Sequence, residues 1–171
     1  MKLVLVALIL SLGLNAPAIA DPFEDGVVAY GHEDYASARR LWAPLAAEGN
    51  VEAQYALGVL YQLGQGVPQD YAKALGWYRK AIALGSAAAE FQLGNMYLAG
   101  TGVPQDYAAA MDWYRKAAAQ QAPNALRAIG FMYENGLGVP ENYNEAMRWY
   151  RVAEETEHSV TGRPGHSLHR H

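Results

Sequence analysis

Apolar and polar positions along the chain follow a helical period, and the pattern then recurs. The small and apolar residues Ala53, Leu57, Leu60 and Tyr61 are spaced four, three and one apart, which sets them on one stripe of a helix. A second stripe, Tyr71, Ala74, Leu75, Tyr78 and Ala81, follows Asp70, whose side-chain oxygen can cap a helix start. Between the two lies Gly64-Gln65-Gly66-Val67-Pro68. Its glycines can take positive φ to end the first helix, and Pro68 keeps that helix from resuming. The segment is therefore predicted to be a tight helical hairpin, with helices A and B.

The same hairpin is written three times. GVPQDYAKALGWYRKA from Gly66, GVPQDYAAAMDWYRKA from Gly102 and GVPENYNEAMRWYRVA from Gly138 align at a shift of 36 residues. Upstream, AQYALGVLYQLGQ from Ala53, AEFQLGNMYLAGT from Ala89 and ALRAIGFMYENGL from Ala125 keep the same register. A hairpin alone cannot bury both faces of its helices, whereas stacked hairpins share a continuous core. The fold class expected is all-α, a right-handed α-solenoid of about four hairpins. Repeats are placed at residues 51–86, 87–122 and 123–158. Gly58, Gly94 and Gly130 recur inside helix A, where each costs about 1 kcal/mol relative to alanine. A glycine recurring there implies that a neighbouring backbone comes too close for a side chain.

Extending the register backwards sets Tyr35, Ala38, Leu41 and Trp42 against Tyr71, Ala74, Trp77 and Tyr78. Residues 21–50 are read as a degenerate capping hairpin, in which Pro22 to Gly31 lacks the glycine signature but can still form a helix. At the other end, helix B of the last repeat runs from Tyr143 to about Glu157, with Met147, Trp149 and Tyr150 part-exposed. A homo-oligomer formed through this C-terminal end is one reading of that exposure. Residues 159–171 carry no apolar period and are expected to be a disordered tail.

The first 20 residues have a different pattern: Lys2, an apolar run from Leu3 to Leu14, then Pro17 and Ala18-Ile19-Ala20. This reads as a secretory signal peptide cleaved after Ala20, its apolar run being too short for a membrane span. The chain is expected to be periplasmic or secreted, with no stable span once the leader is removed. A formal net charge of −4 gives no attraction to phosphate backbones, so nucleic acid is not an expected partner. With no cysteine in the chain, thiol catalysis, disulfides and cysteine-ligated metals are excluded.

The blocks from Ala53 to Ala153 resemble the Sel-one-like repeat (SLR) family, a tetratricopeptide-related class, through the pattern AxYxLGxxYxxGxGVPQDYxKAxxWYRKA. The resemblance implies an adaptor or scaffold of the bacterial cell envelope, docking an envelope protein or peptide segment whose identity is open. An accessory subunit or enzyme of envelope glycan metabolism or export is the alternative. One branch of the family is cysteine-rich and has been described as binding penicillin or cleaving β-lactams. This chain departs from it, having neither cysteine nor a Ser-x-x-Lys motif.

Residues that vary between repeats at equivalent helix A positions are free to specify a ligand. They are Tyr55, Phe91 and Arg127; Val59, Asn95 and Phe131; and Gln62, Leu98 and Glu134. Within each repeat they share one face, rotated away from the Leu57 and Leu60 stripe. The resemblance implies that helix A lines the concave surface, making these nine the candidate partner-binding patch. The plainer reading is that the aromatics pack between hairpins. No catalytic set emerges: Asp70 and Asp106 read as caps, His32 stands alone in a turn, and no nucleophile pairs with a base. No cofactor is expected. His158, His166, His169 and His171 could loosely chelate a metal, but a tail without fixed geometry makes no site.

Overall fold

The computed structural model describes residues 21–161, and the side chains of 21–159. The leader at 1–20 and the tail beyond 161 lie outside the described residues. Eight helices follow in order among the described residues: α1 (Pro22–Gly31), α2 (Tyr35–Ala47), α3 (Val51–Leu63), α4 (Tyr71–Ala83), α5 (Ala87–Ala99), α6 (Tyr107–Ala119), α7 (Pro123–Glu134) and α8 (Tyr143–Thr161). They pair as four consecutive hairpins stacked into an all-α solenoid. α8 runs through 159–161, so these residues are helical rather than the start of a disordered tail.

The caps act as the sequence indicates. Asp70, Asp106 and Asn142 accept from the backbone N–H groups of Lys73, Ala109 and Glu145 at 2.9–3.0 Å. Their own backbone N–H groups donate to the carbonyls of Tyr61, Tyr97 and Tyr133, tying each interhelical loop back to helix A. Gly64 and Gly100 end helix A with φ near +70°, the left-handed turn that only glycine adopts without penalty.

The core lies between hairpins. Ala38, Trp42 and Ala46 of α2 meet Ala53, Leu57 and Leu60 of α3. Ala74, Tyr78 and Ala81 of α4 meet Ala89, Leu93 and Met96 of α5. Ala110, Met111 and Tyr114 of α6 meet Ile129 and Met132 of α7. Each cluster thus joins helix B of one hairpin to helix A of the next, so burial of apolar surface drives the stacking itself.

The helix A glycines have a different cause from the one expected. A Cβ on Gly58 would lie 2.4 Å from the ring of Tyr78, on Gly94 2.5 Å from that of Tyr114, and on Gly130 2.6 Å from that of Tyr150. It is the flat face of an aromatic ring, not a neighbouring backbone, that takes the missing side chain's place. The capping hairpin uses the same device, because a Cβ on Gly26 would fall 2.2 Å from the Trp42 indole. Trp42 lies 36 residues before Tyr78, but Gly26 lies only 32 before Gly58. The α1–α2 turn at 32–34 is shorter than the α3–α4 loop at 64–70, and this deletion hides the glycine from a comparison at fixed shift.

Candidate functional site: a cavity on the helix A face

The helix A face carries an open cavity of about 760 Å³, lined mainly by α1, α3 and the start of α5. Phe23, Val27 and Tyr30 of α1 and Trp42 of α2 form one wall. Val51, Glu52, Tyr55, Ala56 and Val59 of α3 form its floor, and the α4–α5 turn with Ala87 and Ala88 closes the far side. Phe23, Val27 and Tyr30 are spaced four and three apart, so one stripe of the short α1 faces the cavity. A second cavity of about 340 Å³ continues along the same face, from Tyr55 across Ala88, Phe91 and Gln92 to Pro123 and Asn124. Tyr55, Ala87 and Ala88 line both cavities.

Polar groups in the larger cavity are few. Glu52 is an exposed carboxylate on its lining, and no lysine or arginine joins it there. Gln120 reaches in from the end of α6 and donates to the buried Glu90 at 2.8 Å. Gln54, which Glu90 follows by 36 residues, donates to the Ala46 carbonyl at 3.0 Å and keeps its own side-chain oxygen buried without a partner. These buried amide and carboxylate groups fix the seams between hairpins beneath the cavity. Nothing in this arrangement pairs a nucleophile with a base, and no cluster of three metal-binding side chains occurs among the described residues.

The nine patch residues separate into three roles. Tyr55 and Phe91 lie with ring centroids 5.9 and 5.7 Å from Tyr78 and Tyr114, half-buried in the inter-hairpin packing with one edge on the cavities. Val59 and Leu98 also pack against the inter-hairpin clusters, and of the two only Val59 reaches the cavity. The polar members bind helix B tyrosines: Gln62 accepts from the Tyr78 hydroxyl at 2.6 Å, Asn95 from Tyr114 at 2.8 Å and Glu134 from Tyr150 at 2.6 Å. In the middle hairpin Leu98 cannot accept, and Asn95 one turn earlier does so instead. Arg127 makes a two-pronged ion pair with Glu157 of α8, and Phe131 is exposed at the end of the stack. The nine residues therefore have unlike surroundings and do not form one uniform surface. Six of the nine, Gln62, Asn95, Leu98, Arg127, Phe131 and Glu134, line neither cavity.

Burial of the tyrosines shows in their acidity. The Tyr78 phenol is pushed well above its ordinary range by desolvation, and that of Tyr114 is raised to about 12 by the same cause. Tyr150, less buried, also rises to about 12, through desolvation and its hydrogen bond to Glu134. All three hold their protons in the folded chain and serve as donors.

Comparison with known proteins agrees with this geometry. The Sel1 repeat model matches residues 51–86, 87–121 and 123–155. The chain belongs to the Sel1 repeat family. Sel1 repeat proteins are typically protein-interaction scaffolds and generally non-catalytic. A Sel1 repeat protein from Oxalobacter formigenes is 37% identical over 78% of this chain and 55% of its own, with a TM-score of 0.69. A protective antigen of uropathogenic Escherichia coli with an SLR fold gives the same identity, coverage of this chain and TM-score over 30% of its own length. This chain thus spans about half or less of these two relatives. Helicobacter pylori cysteine rich protein B, at 19% identity and a TM-score of 0.54, shares the fold over 84% of this chain and 97% of its own. No match is found among curated proteins. The first hairpin, α1 and α2, lies outside all three matched Sel1 repeats, yet it supplies one wall of the larger cavity.

Proposed function

We propose that this Sel1 repeat chain is a non-catalytic adaptor of the bacterial cell envelope that holds a segment of a partner protein in the helix A cavity. The carrying observation is the cavity itself, about 760 Å³ with predominantly apolar and aromatic walls. Such a volume suits a few side chains of a peptide, with rigid aromatic rings supplying contact area at low entropic cost. The lone carboxylate on its lining, Glu52, favours a segment that carries a lysine or arginine beside its apolar anchors. Export across the inner membrane is supported by the leader from Lys2 to Ala20. No described helix is long and apolar enough to cross a membrane.

The test places a photo-crosslinker at Val27, Tyr55 and Phe91 in intact cells, with Lys73 and Asp112 on the outer helices as controls. One envelope protein should be captured from the cavity positions and not from the controls. Val27→Glu and Ala88→Glu, both at solvent-exposed positions of the cavity wall, should abolish that capture while helicity and Tm stay near wild type. Equal capture at all five positions, or capture that survives both charged variants, would remove the proposal.

A further inference from the structure

Among the described residues, the last hairpin carries an uncovered counterpart of the surface on which the second and third hairpins receive their successors. In the second hairpin Val59, Tyr71 and Leu75 pack against the cluster shared with α5. In the third, Met111 is buried and Tyr107 packs against the cluster shared with α7. The tyrosines also receive the next loop: a Cβ on Gly102 would lie 2.4 Å from Tyr71, and one on Gly138 would lie 2.8 Å from Tyr107. In the fourth hairpin the corresponding residues are Phe131, Tyr143 and Met147, exposed by 44%, 63% and 43%. After α4 and α6 the chain turns back through Gly85 and Gln121, both at positive φ. Glu157 occupies the position of Gln121 but stays helical, held by Arg127, so α8 continues past this face instead of turning back over it.

We infer that this face pairs with the same face of a second copy of the chain, giving a two-fold dimer through α7 and α8. The interface continues the hairpin-on-hairpin contact that builds the rest of the stack. A second copy has no spare helix A to offer, because the Leu57 and Leu60, Leu93 and Met96, and Ile129 and Met132 stripes are already buried. Its opposite end is poorly matched, since α1 surrounds its exposed Val28 with exposed Asp21, Glu24 and Asp25. The face, by contrast, complements itself. Tyr143, Met147, Tyr150 and Glu154 form one stripe at spacings of four, three and four. Two such helices laid antiparallel set Met147 against the partner's Tyr150, and the Tyr143 hydroxyl against the partner's Glu154 carboxylate. Both contacts recur across the axis, as a closed two-fold interface requires. This pairing does not depend on what occupies the helix A cavity.

The experiment is sedimentation equilibrium of the full chain, expressed and processed in cells, over about three decades of concentration up to ~500 µM. Association should stop at two copies. Met147→Glu and Phe131→Glu should each weaken it at least tenfold, because either buries charge without a partner. Val28→Glu at the opposite end should leave it unchanged. Because the chain contains no cysteine, Met147→Cys supplies a single thiol. A short bis-maleimide should then link two copies, whereas Val28→Cys should give no linked pair. A monomer at every concentration, an open ladder of larger species, or a dimer indifferent to Met147→Glu with no linkage through Met147→Cys would each overturn the inference.

Discussion

Tyr78 and Tyr114 each do three things: the ring fills the notch left by a helix A glycine, the hydroxyl donates to a side chain of the same hairpin, and the opposite edge meets the next hairpin. Two glycines separate the first of these from mere helix composition. Gly94→Ala would gain about 1 kcal/mol of helix propensity, but its Cβ would lie 2.5 Å from the fully buried Tyr114 ring. Overpacking of this kind costs about 1–3 kcal/mol or more, so a net loss of up to about 2 kcal/mol is expected in urea unfolding. Gly76, on the exposed side of α4, would set a Cβ in open space. Gly76→Ala should therefore stabilise the chain by up to about 1 kcal/mol, read as a higher urea midpoint. A gain of stability in Gly94→Ala would remove the ring-in-notch account. The same tyrosines set an alkaline limit. Because burial raises the folded-state value of Tyr114 from 10.0 to about 12, the unfolded chain loses that proton first. The contribution is complete below pH 10 and disappears as pH rises through about 12. In Tyr114→Phe the fall in stability between about pH 10 and pH 12 should be smaller than in wild type, as read from urea midpoints at each pH.

At the scale of the element, the helix starts show where one repeat has lost a device the others keep. Asn50 and Ser86 cap α3 and α5 by accepting from the N–H groups of Ala53 and Ala89 at 2.7 and 3.2 Å. The equivalent Ala122 gives α7 no side-chain cap, though Pro123 at its first turn is well suited to a helix start. Ala122→Ser should restore the missing bond and stabilise the chain by about 0.5–1 kcal/mol. An unchanged midpoint in chemical denaturation would mean that Pro123 and the existing backbone contacts already satisfy that end. The tryptophans of helix B vary in a similar way. Lys80 and Lys116 lie over the rings of Trp77 and Trp113 at 4.2 and 3.7 Å. Val152 holds the equivalent place beside Trp149, whose indole N–H is buried without a partner.

The whole molecule behaves as a row of neighbours, each hairpin stabilised by those it touches. The capping hairpin depends most on Trp42, which rests on Gly26, donates to the Phe23 carbonyl at 3.1 Å and also lines the larger cavity. Trp42→Ala should cost about 3–5 kcal/mol locally. In a one-dimensional stack that loss stays near its origin. Hydrogen exchange should therefore show protection falling in α1 to α3 while α5 to α8 remain protected. Uniform loss along all eight helices would mean that the stack unfolds as a single cooperative unit.

The architecture is legible in the chain itself, because a solenoid is specified locally. The two stripes, the Gly-x-Gly turn, the Asp or Asn cap and their return every 36 residues fix hairpins whose partners are their own neighbours in the chain. The sequence also marks Asp70 and Asp106 as caps. Tertiary structure decided which variable residues are available. Gln62, Asn95 and Glu134 look free in the alignment, but they are taken by tyrosine hydroxyls that reach them from the paired helix. Arg127 is taken by Glu157, 30 residues away on α8. The cavity depends on Phe23, Val27, Tyr30 and Trp42, from a hairpin whose shortened turn breaks the repeat register. Such pairings form between helices, and spacing along one helix carries no record of them.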